Sequence, residues 1–119
     1  MIATKSNNEI YIPDHYRLTI DRYNYITYCK AEGSYTKIYF SDKESVMTAR
    51  RLKIIQQQLS NNGFIRCHKS YLVNVRFIKE VRIKTPALIV LQSGETIKIA
   101  CRKLRNIKQY LYRKFLLFE

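Results

Sequence analysis

Short segments with strand-like patterning, separated by turn residues, constrain the fold of this chain more than any other feature. Apolar and polar side chains alternate in His15–Asp21 and in Tyr35–Phe40, as they do in half-buried strands. Aromatic and β-branched residues fill Tyr25–Ala31. Similar patterns predict strands at Glu9–Pro13, Glu44–Met47, Tyr71–Val75, Phe77–Lys84, Ala87–Leu91 and Glu95–Ala100. The chain is therefore predicted to be mainly β, with roughly eight to ten short strands.

Two stretches change to the helical period. Ala49–Leu59 follows Thr48, which is predicted to be its N-cap, and a left-handed cap at Asn62 or Gly63 ends it. The second helix opens at Cys101 and extends toward the C-terminus. The first helix carries no stripe that indicates a function, and its polar side is filled by Arg50, Arg51, Lys53 and Gln56–Gln58.

The length of 119 residues predicts one domain, 9–119, after a flexible tail at 1–8. No apolar run approaches the roughly 20 residues of a membrane span, and the first residues do not form a signal peptide. We therefore expect a cytoplasmic protein with no membrane partner. Three cysteines without a C-x-x-C pair predict neither a disulfide nor a zinc site. Cys29 is expected in the core, whereas Cys67 and Cys101 lie beside basic residues, which could lower their thiol pKa.

The net charge of +13 points to a polyanionic partner, and a nucleic acid ranks before a membrane surface, which is not the expected partner. The charge is uneven, because residues 64–119 hold thirteen Lys and Arg against three Asp and Glu. A solvated basic surface with no specific ligand is the alternative. The excess begins at Phe64–Asn74, a stretch that carries four side chains able to bind a ligand: Arg66, His68, Lys69 and Ser70.

Patterns that would indicate catalysis, a cofactor or a metal are missing from the sequence. The three glycines are dispersed at turns and form no phosphate-binding loop. His15 and His68 have no metal-ligand spacing to a second histidine or cysteine. Cys67 and His68 are adjacent, so they point to opposite sides of an extended strand and make a poor nucleophile–base pair. We expect no enzyme activity, no cofactor and no metal.

Turns, rather than a helix, are the predicted ligand-binding elements. A helix-turn-helix is excluded because about forty residues of strand and turn separate the two helices. Suitable side chains occur in three turns: Glu32–Tyr35, Arg66–Ser70 and Cys101–Lys103. Arg and Lys can bind guanine edges or phosphates, and the start of the second helix favours a phosphate. Two alternatives are an RNA or single-strand binder that stacks bases on tyrosines, and a protein-docking module that uses Phe115–Phe118.

The stretch Phe64–Asn74 resembles the signature of the LytTR DNA-binding domain, F-x-R-x-H-x-S-x-x-V-N followed by an isoleucine, here Ile78. Ile26–Tyr35 is similar to the family's strand that ends in A-x-G-x-Y. Thr48–Leu59 resembles its mid-domain helix, and Ile97–Leu104 its last strand and basic helix start. The resemblance covers roughly residues 9–112, which is most of the chain.

The resemblance implies bacterial transcription regulation by a domain of stacked antiparallel sheets. Such domains bind double-stranded DNA with loops in successive major grooves, usually as pairs on direct repeats, which implies a homodimer on DNA. By position, the DNA-contacting loops fall on Ser34 and Tyr35, His68 and Lys69, and Arg102 and Lys103, and we add Ser70. Structural roles are expected for Phe64, Arg66, Tyr71, Val73 and Asn74. Because 119 residues cannot also hold the receiver domain that usually precedes this domain, the chain is read as a fragment of a response regulator or a free-standing regulator.

Overall fold

The structure is a computed structural model that describes residues 9–12, 24–59 and 63–115. These residues form nine strands, two α-helices and one 3-10 turn: β1 Glu9–Ile12, β2 Ile26–Glu32, β3 Tyr35–Phe40, β4 Ser45–Thr48, α1 Leu52–Gln58, β5 Phe64–His68, β6 Tyr71–Asn74, the 3-10 turn Val75–Phe77, β7 Ile78–Arg82, β8 Leu88–Leu91, β9 Thr96–Lys98 and α2 Cys101–Phe115. The prediction of a mainly β chain with one mid-domain and one C-terminal helix is confirmed.

The strands form two sheets. The larger one has the order β1-β4-β3-β2-β6-β5, and the smaller one has the order β7-β8-β9. All pairs are antiparallel except β1, which lies parallel to β4 at the edge of the larger sheet. The predicted strand Ala87–Leu91 contains β8, which lies between two partners and has Ile89 fully buried.

Each face of the larger sheet is covered by a different layer. On one face, Ile38 and Leu72 pack with Leu52 and Ile55 of α1. On the other face, the cluster joins β5 and β6 to the smaller sheet and α2: Ile65, Cys67, Val73, Val75, Ala87, Ile89, Leu91, Ile97, Ile99, Ile107 and Leu111. Alternate residues of β6 therefore enter different cores, as the two-residue period of a strand requires. The two sheets are stacked, as the resemblance implied.

The helix α1 begins later than the sequence pattern predicts. Thr48 is the last residue of β4 and is buried, and Arg51 is the residue before the helix. The Thr48 side chain still accepts a hydrogen bond from the Arg50 amide, at 3.3 Å. Thr48 is nevertheless not the N-cap, because its backbone is held in the sheet opposite Thr36. Strand pairing therefore outweighs the capping preference of the threonine side chain.

Several predictions fall on residues that the structure does not describe. These are the tail at 1–8, the strand His15–Asp21, the possible cap at Asn62 and most of the apolar segment Phe115–Phe118. Phe115 is the last residue of α2. Gly63, the other candidate for the left-handed cap, has a positive φ of 78°.

Candidate nucleic-acid interface

Strand pairing brings the β2–β3 turn beside the β5–β6 turn. Near its end, β2 pairs Lys30 with Tyr71, the first residue of β6. The Ala31 amide donates a hydrogen bond of 2.8 Å to the Ser70 carbonyl. Because β2 then enters its turn at Gly33 and β6 has just left its own, the two turns lie side by side at one end of the larger sheet.

The start of α2 lies at the same end. The Ala100 amide donates a hydrogen bond of 2.9 Å to the Cys67 carbonyl, one residue before β5 ends. The positive charge of Lys103 also lies close enough to act on the Cys67 thiol. The three predicted turns are therefore gathered at one end of the domain. We call this surface the basic end and define it by Ser34, Tyr35, His68, Lys69, Ser70, Arg102 and Lys103.

The β2–β3 turn is a tight hairpin that presents its side chains to solvent. Glu32 pairs with Tyr35, so only Gly33 and Ser34 lie between the strands. Gly33 has a φ of +64°, which fits the glycine preference of two-residue hairpins. Ser34 is exposed, and the Tyr35 side chain is 45% exposed. This turn can therefore present a hydroxyl and a phenol to a ligand.

Arg66 holds the backbone of the β5–β6 turn. Its Nε donates to the His68 carbonyl at 3.0 Å, and one Nη donates to the Lys69 carbonyl at 2.5 Å. Its other Nη donates to the side-chain amide oxygen of Gln56 in α1, at 2.7 Å. Burial lowers the pKa of the Arg66 guanidinium, but arginine stays protonated at neutral pH. One side chain thus ties the turn to the layer that covers the sheet.

The strand β5 has a bulge at Cys67, just before the turn. Arg66 pairs with Leu72 and His68 with Tyr71, so one extra residue lies in β5. Burial still alternates along β5, so Cys67 is buried and its neighbours Arg66 and His68 are half-buried. Cys67 enters the core beneath the smaller sheet, and His68 stacks edge-on against Tyr71, with 5.7 Å between ring centroids.

His68 and Lys69 differ in how they are held. His68 Nδ1 accepts a hydrogen bond of 3.1 Å from the Ser70 amide. In its neutral form the ring therefore carries its proton on Nε2, which leaves one donor directed away from the turn. Lys69 is exposed, and its side chain has no carboxylate partner within the residues that the structure describes. Both side chains could donate to an anion or a base edge.

Asn74 joins the end of β6 to the start of β2. The residue is buried, and its Nδ2 donates a hydrogen bond of 2.7 Å to the Ile26 carbonyl. Its Oδ1 accepts one of 3.0 Å from the Arg76 amide and caps the 3-10 turn. The predicted strand Tyr71–Val75 ends at Asn74 for this reason. Val73 is fully buried, and Phe64 and Tyr71 pack partly buried against the two cores.

The basic neighbours of Cys67 act on its pKa in the expected direction, but they do not bring it below the ordinary thiol value. Burial raises the pKa of this thiol to about 12, and the nearby charges of Lys103 and Arg66 only partly oppose it. Burial also raises the pKa of Cys29, which lies in the core as predicted. Cys101 is exposed. Since the Cys67 thiol is neutral at neutral pH, it is not poised as a nucleophile.

Cationic residues that the sequence reasoning left without a function also lie at the basic end. Because β4 runs antiparallel to β3, the segment that follows it returns Arg51 and Lys53 to the Ser34 turn. Lys98 ends β9 just before α2. The acidic turn residues Asp42 and Glu44 follow β3 at the opposite end of the sheet. Counting strand reversals along the chain would have indicated this separation of charge.

Within the described residues, no group of three or more His, Cys, Asp or Glu side chains could hold a metal ion. Neither of the described helices combines the length and the apolar character needed to cross a membrane. The basic end itself offers hydroxyl, imidazole and cationic donors, a set that suits an anionic partner.

The profile of the LytTr DNA-binding domain family matches residues 16–112. The chain belongs to this family. A solved LytTr DNA-binding domain from Bacillus cereus superposes with a TM-score of 0.62 over 81% of this chain and 84% of that one, at 24% identity. This likeness shows a shared fold.

Longer regulatory proteins contain segments similar to this LytTr domain. The sensory transduction protein LytT of Oceanobacillus iheyensis is 41% identical over 58 residues, which are 49% of this chain and 24% of the relative. LytT of Bacillus subtilis is 25% identical over 89 residues, 73% of this chain and 36% of the relative. The transcriptional regulatory protein BtsR of Escherichia coli is 33% identical over 52 residues, 42% and 22%. The matched regions span less than half the length of these relatives.

Proposed function

We propose that this LytTr domain binds double-stranded DNA sequence-specifically through its basic end, as a bacterial transcription regulator or as the DNA-binding part of a response regulator. The observation that carries the proposal is the convergence of three polar turns on one surface, held by the hydrogen bonds from Ala31 to Ser70 and from Ala100 to Cys67. Membership in the family and the names of its relatives support DNA as the partner.

Each turn has a chemical role in the proposal. Lys69 and Arg102 are exposed, and cationic side chains of this kind bind guanine edges in the major groove. Ser34, Tyr35, His68 and Ser70 supply donors for phosphates or bases, and Lys103 supplies a phosphate contact. The turns would enter major grooves, and two copies would occupy direct repeats. Regulation of transcription would follow from occupancy of such a site.

Selection of bound duplexes from a random library tests the proposal. A preferred sequence should emerge at moderate salt, and the spacing of its half-sites should report how two copies bind. On that site, Lys69→Ala and Arg102→Ala should each weaken binding by about 1–3 kcal/mol if they contact base edges. Arg113→Ala, also exposed but far along α2, is the control. If no sequence is enriched, specific DNA recognition is excluded.

Binding of single strands is the weaker candidate. Tyr28 and Tyr39 stack on each other, with 4.4 Å between centroids, and Tyr28 also packs against Tyr71. Faces that are already stacked cannot receive bases without rearrangement. In a competition assay the duplex should displace a single strand of equal length. The opposite order would favour the single-strand alternative.

A further inference from the structure

A basic cleft separates the Ser34 turn from the start of α1. It has a volume of about 370 Å³ and is lined by Ala31, Gly33, Ser34, Arg51, Leu52, Lys53, Arg66 and Lys69. Four of these eight residues are cationic and none is acidic. Cations from two distant parts of the sequence, Arg51 and Lys53 at the start of α1 and Arg66 and Lys69 at the β5–β6 turn, therefore meet beside the β2–β3 turn.

The cations of the cleft are not equivalent. Arg66 already uses its guanidinium to hold the β5–β6 turn and Gln56. Arg51, Lys53 and Lys69 are exposed, and the structure shows them no carboxylate partner among the residues that it describes. Glu32 lies in the chain between the lining residues Ala31 and Gly33, but its carboxylate is paired with the ammonium of Lys30, at 3.9 Å between Oε2 and Nζ. The cleft therefore keeps an uncompensated positive charge.

The backbone around Arg51 is held in place. The Thr36 hydroxyl donates a hydrogen bond of 2.7 Å to the Arg50 carbonyl, and Thr36 is fully buried in β3. The Arg51 carbonyl accepts hydrogen bonds from the Ile54 and Ile55 amides. Since the connection is anchored to the same strand that leaves the Ser34 turn, the position of Arg51 relative to the basic end is set before any ligand binds.

We infer that this cleft binds a backbone phosphate of the DNA, with Arg51 and Lys53 as its ligands, and that the interface continues from the turns onto α1. The inference rests on the proposed function. A phosphodiester matches the site, because it carries one negative charge and exposed oxygens that accept from Arg and Lys. Arg51 and Lys53 lie beside the turn that bears Ser34, so a duplex held by that turn would bring its backbone over them.

A phosphate contact predicts a specific change in salt dependence. Each neutralised phosphate contributes about 0.9 to the slope of log affinity against log salt. R51Q/K53Q removes both ligands of one phosphate and should therefore lower that slope by about 0.9, so that its affinity falls roughly three- to fourfold less than the parent's when salt rises about fourfold. Its preference for the selected site over random duplex should not change, because phosphates carry no sequence information.

The matched control is K108Q/R113Q, which removes the same two kinds of charge from exposed positions of α2. Arg113 lies eleven helical residues, or roughly 16 Å, beyond Arg102 along α2. The full chain should be used for every variant, with thermal unfolding to show that each is folded. A slope for R51Q/K53Q equal to that of K108Q/R113Q overturns the inference, and so does a loss of sequence preference.

Phosphate replacement supplies an independent readout. Methylphosphonate is introduced at one position at a time along the selected duplex. At least one position should weaken the parent and leave R51Q/K53Q unaffected, since that contact is already absent. If R51Q/K53Q keeps every sensitivity of the parent, the cleft holds no phosphate. If the parent itself enriches no sequence, the proposed function fails first, and this outcome differs from a parent that binds its site with an unchanged variant slope.

Discussion

Replacement of Arg66 by lysine separates the charge of this residue from its geometry. The guanidinium makes three hydrogen bonds, to the carbonyls of His68 and Lys69 and to the Gln56 side chain. A lysine ammonium keeps the charge but is a single point on a flexible stem. It can replace one of these bonds, so about two are lost. Because the turn is partly exposed, each lost bond costs about 1 kcal/mol, and R66K should lose about 2 kcal/mol of stability.

This loss should be visible in thermal unfolding and in DNA binding. About 2 kcal/mol corresponds to a fall of roughly 5–10 °C in the unfolding midpoint of a domain of this size. Affinity for the selected duplex should fall about tenfold, because the turn that carries His68 and Lys69 must then be ordered on binding. The salt slope should stay that of the parent, since no charge is removed.

Two further variants make the reasoning about Arg66 sharper. Q56A removes one of the three acceptors and leaves the turn carbonyls bonded, so it should cost about 1 kcal/mol or less and affect DNA binding little. R113K makes the same exchange at an exposed position and should change nothing. The argument is refuted if R66K unfolds at the parent's temperature and binds DNA with the parent's affinity, because the charge alone would then be sufficient.

Two other predictions follow from the buried groups. Asn74→Ala leaves the Ile26 carbonyl and the Arg76 amide without their partner, so it should lower the free energy of unfolding in denaturant by about 2–4 kcal/mol. The control is Asn106→Ala at an exposed position, which should change stability by less than about 0.5 kcal/mol. A small effect at Asn74 would mean that water replaces its hydrogen bonds. At pH 8 a thiol reagent should label Cys101 in the folded protein, and it should label Cys29 and Cys67 only after unfolding. The reason is that both of these thiols are buried and that the pKa of Cys67 is raised to about 12. Rapid labelling of a second thiol in the folded protein would contradict this prediction.

Local patterns were sufficient for many of the elements. The strand Tyr35–Phe40, the turn at Gly33 and the start of α2 at Cys101 lie where the sequence predicts them. Each is encoded by near neighbours: alternation with a period of two, a residue that tolerates positive φ, and a change to helical spacing. The motif Phe64–Asn74, together with Ile26–Tyr35, Thr48–Leu59 and Ile97–Leu104, likewise predicts the family that residues 16–112 match.

Where local patterns gave a wrong or incomplete prediction, contacts between distant parts of the chain determined the structure. Thr48 has the side chain of a helix cap, yet the strand opposite keeps it in the sheet. Cys67 has basic neighbours, yet burial raises its pKa. The bulge in β5 depends on its register with β6, which the residues of β5 alone do not specify.

Donors and charges are properties of single side chains, so the sequence alone indicates which residues can bind an anion. Which of these residues act together depends on the folded arrangement of the strands. Lys69 and Ser34 meet because β2 pairs with β6, and Arg102 joins them because Ala100 bonds to Cys67. Arg51 and Lys53, which carry no recognisable motif, enter the same surface because β4 reverses the chain. Proximity of this kind arises from hydrogen bonds between residues far apart in the chain, so short sequence patterns do not indicate it.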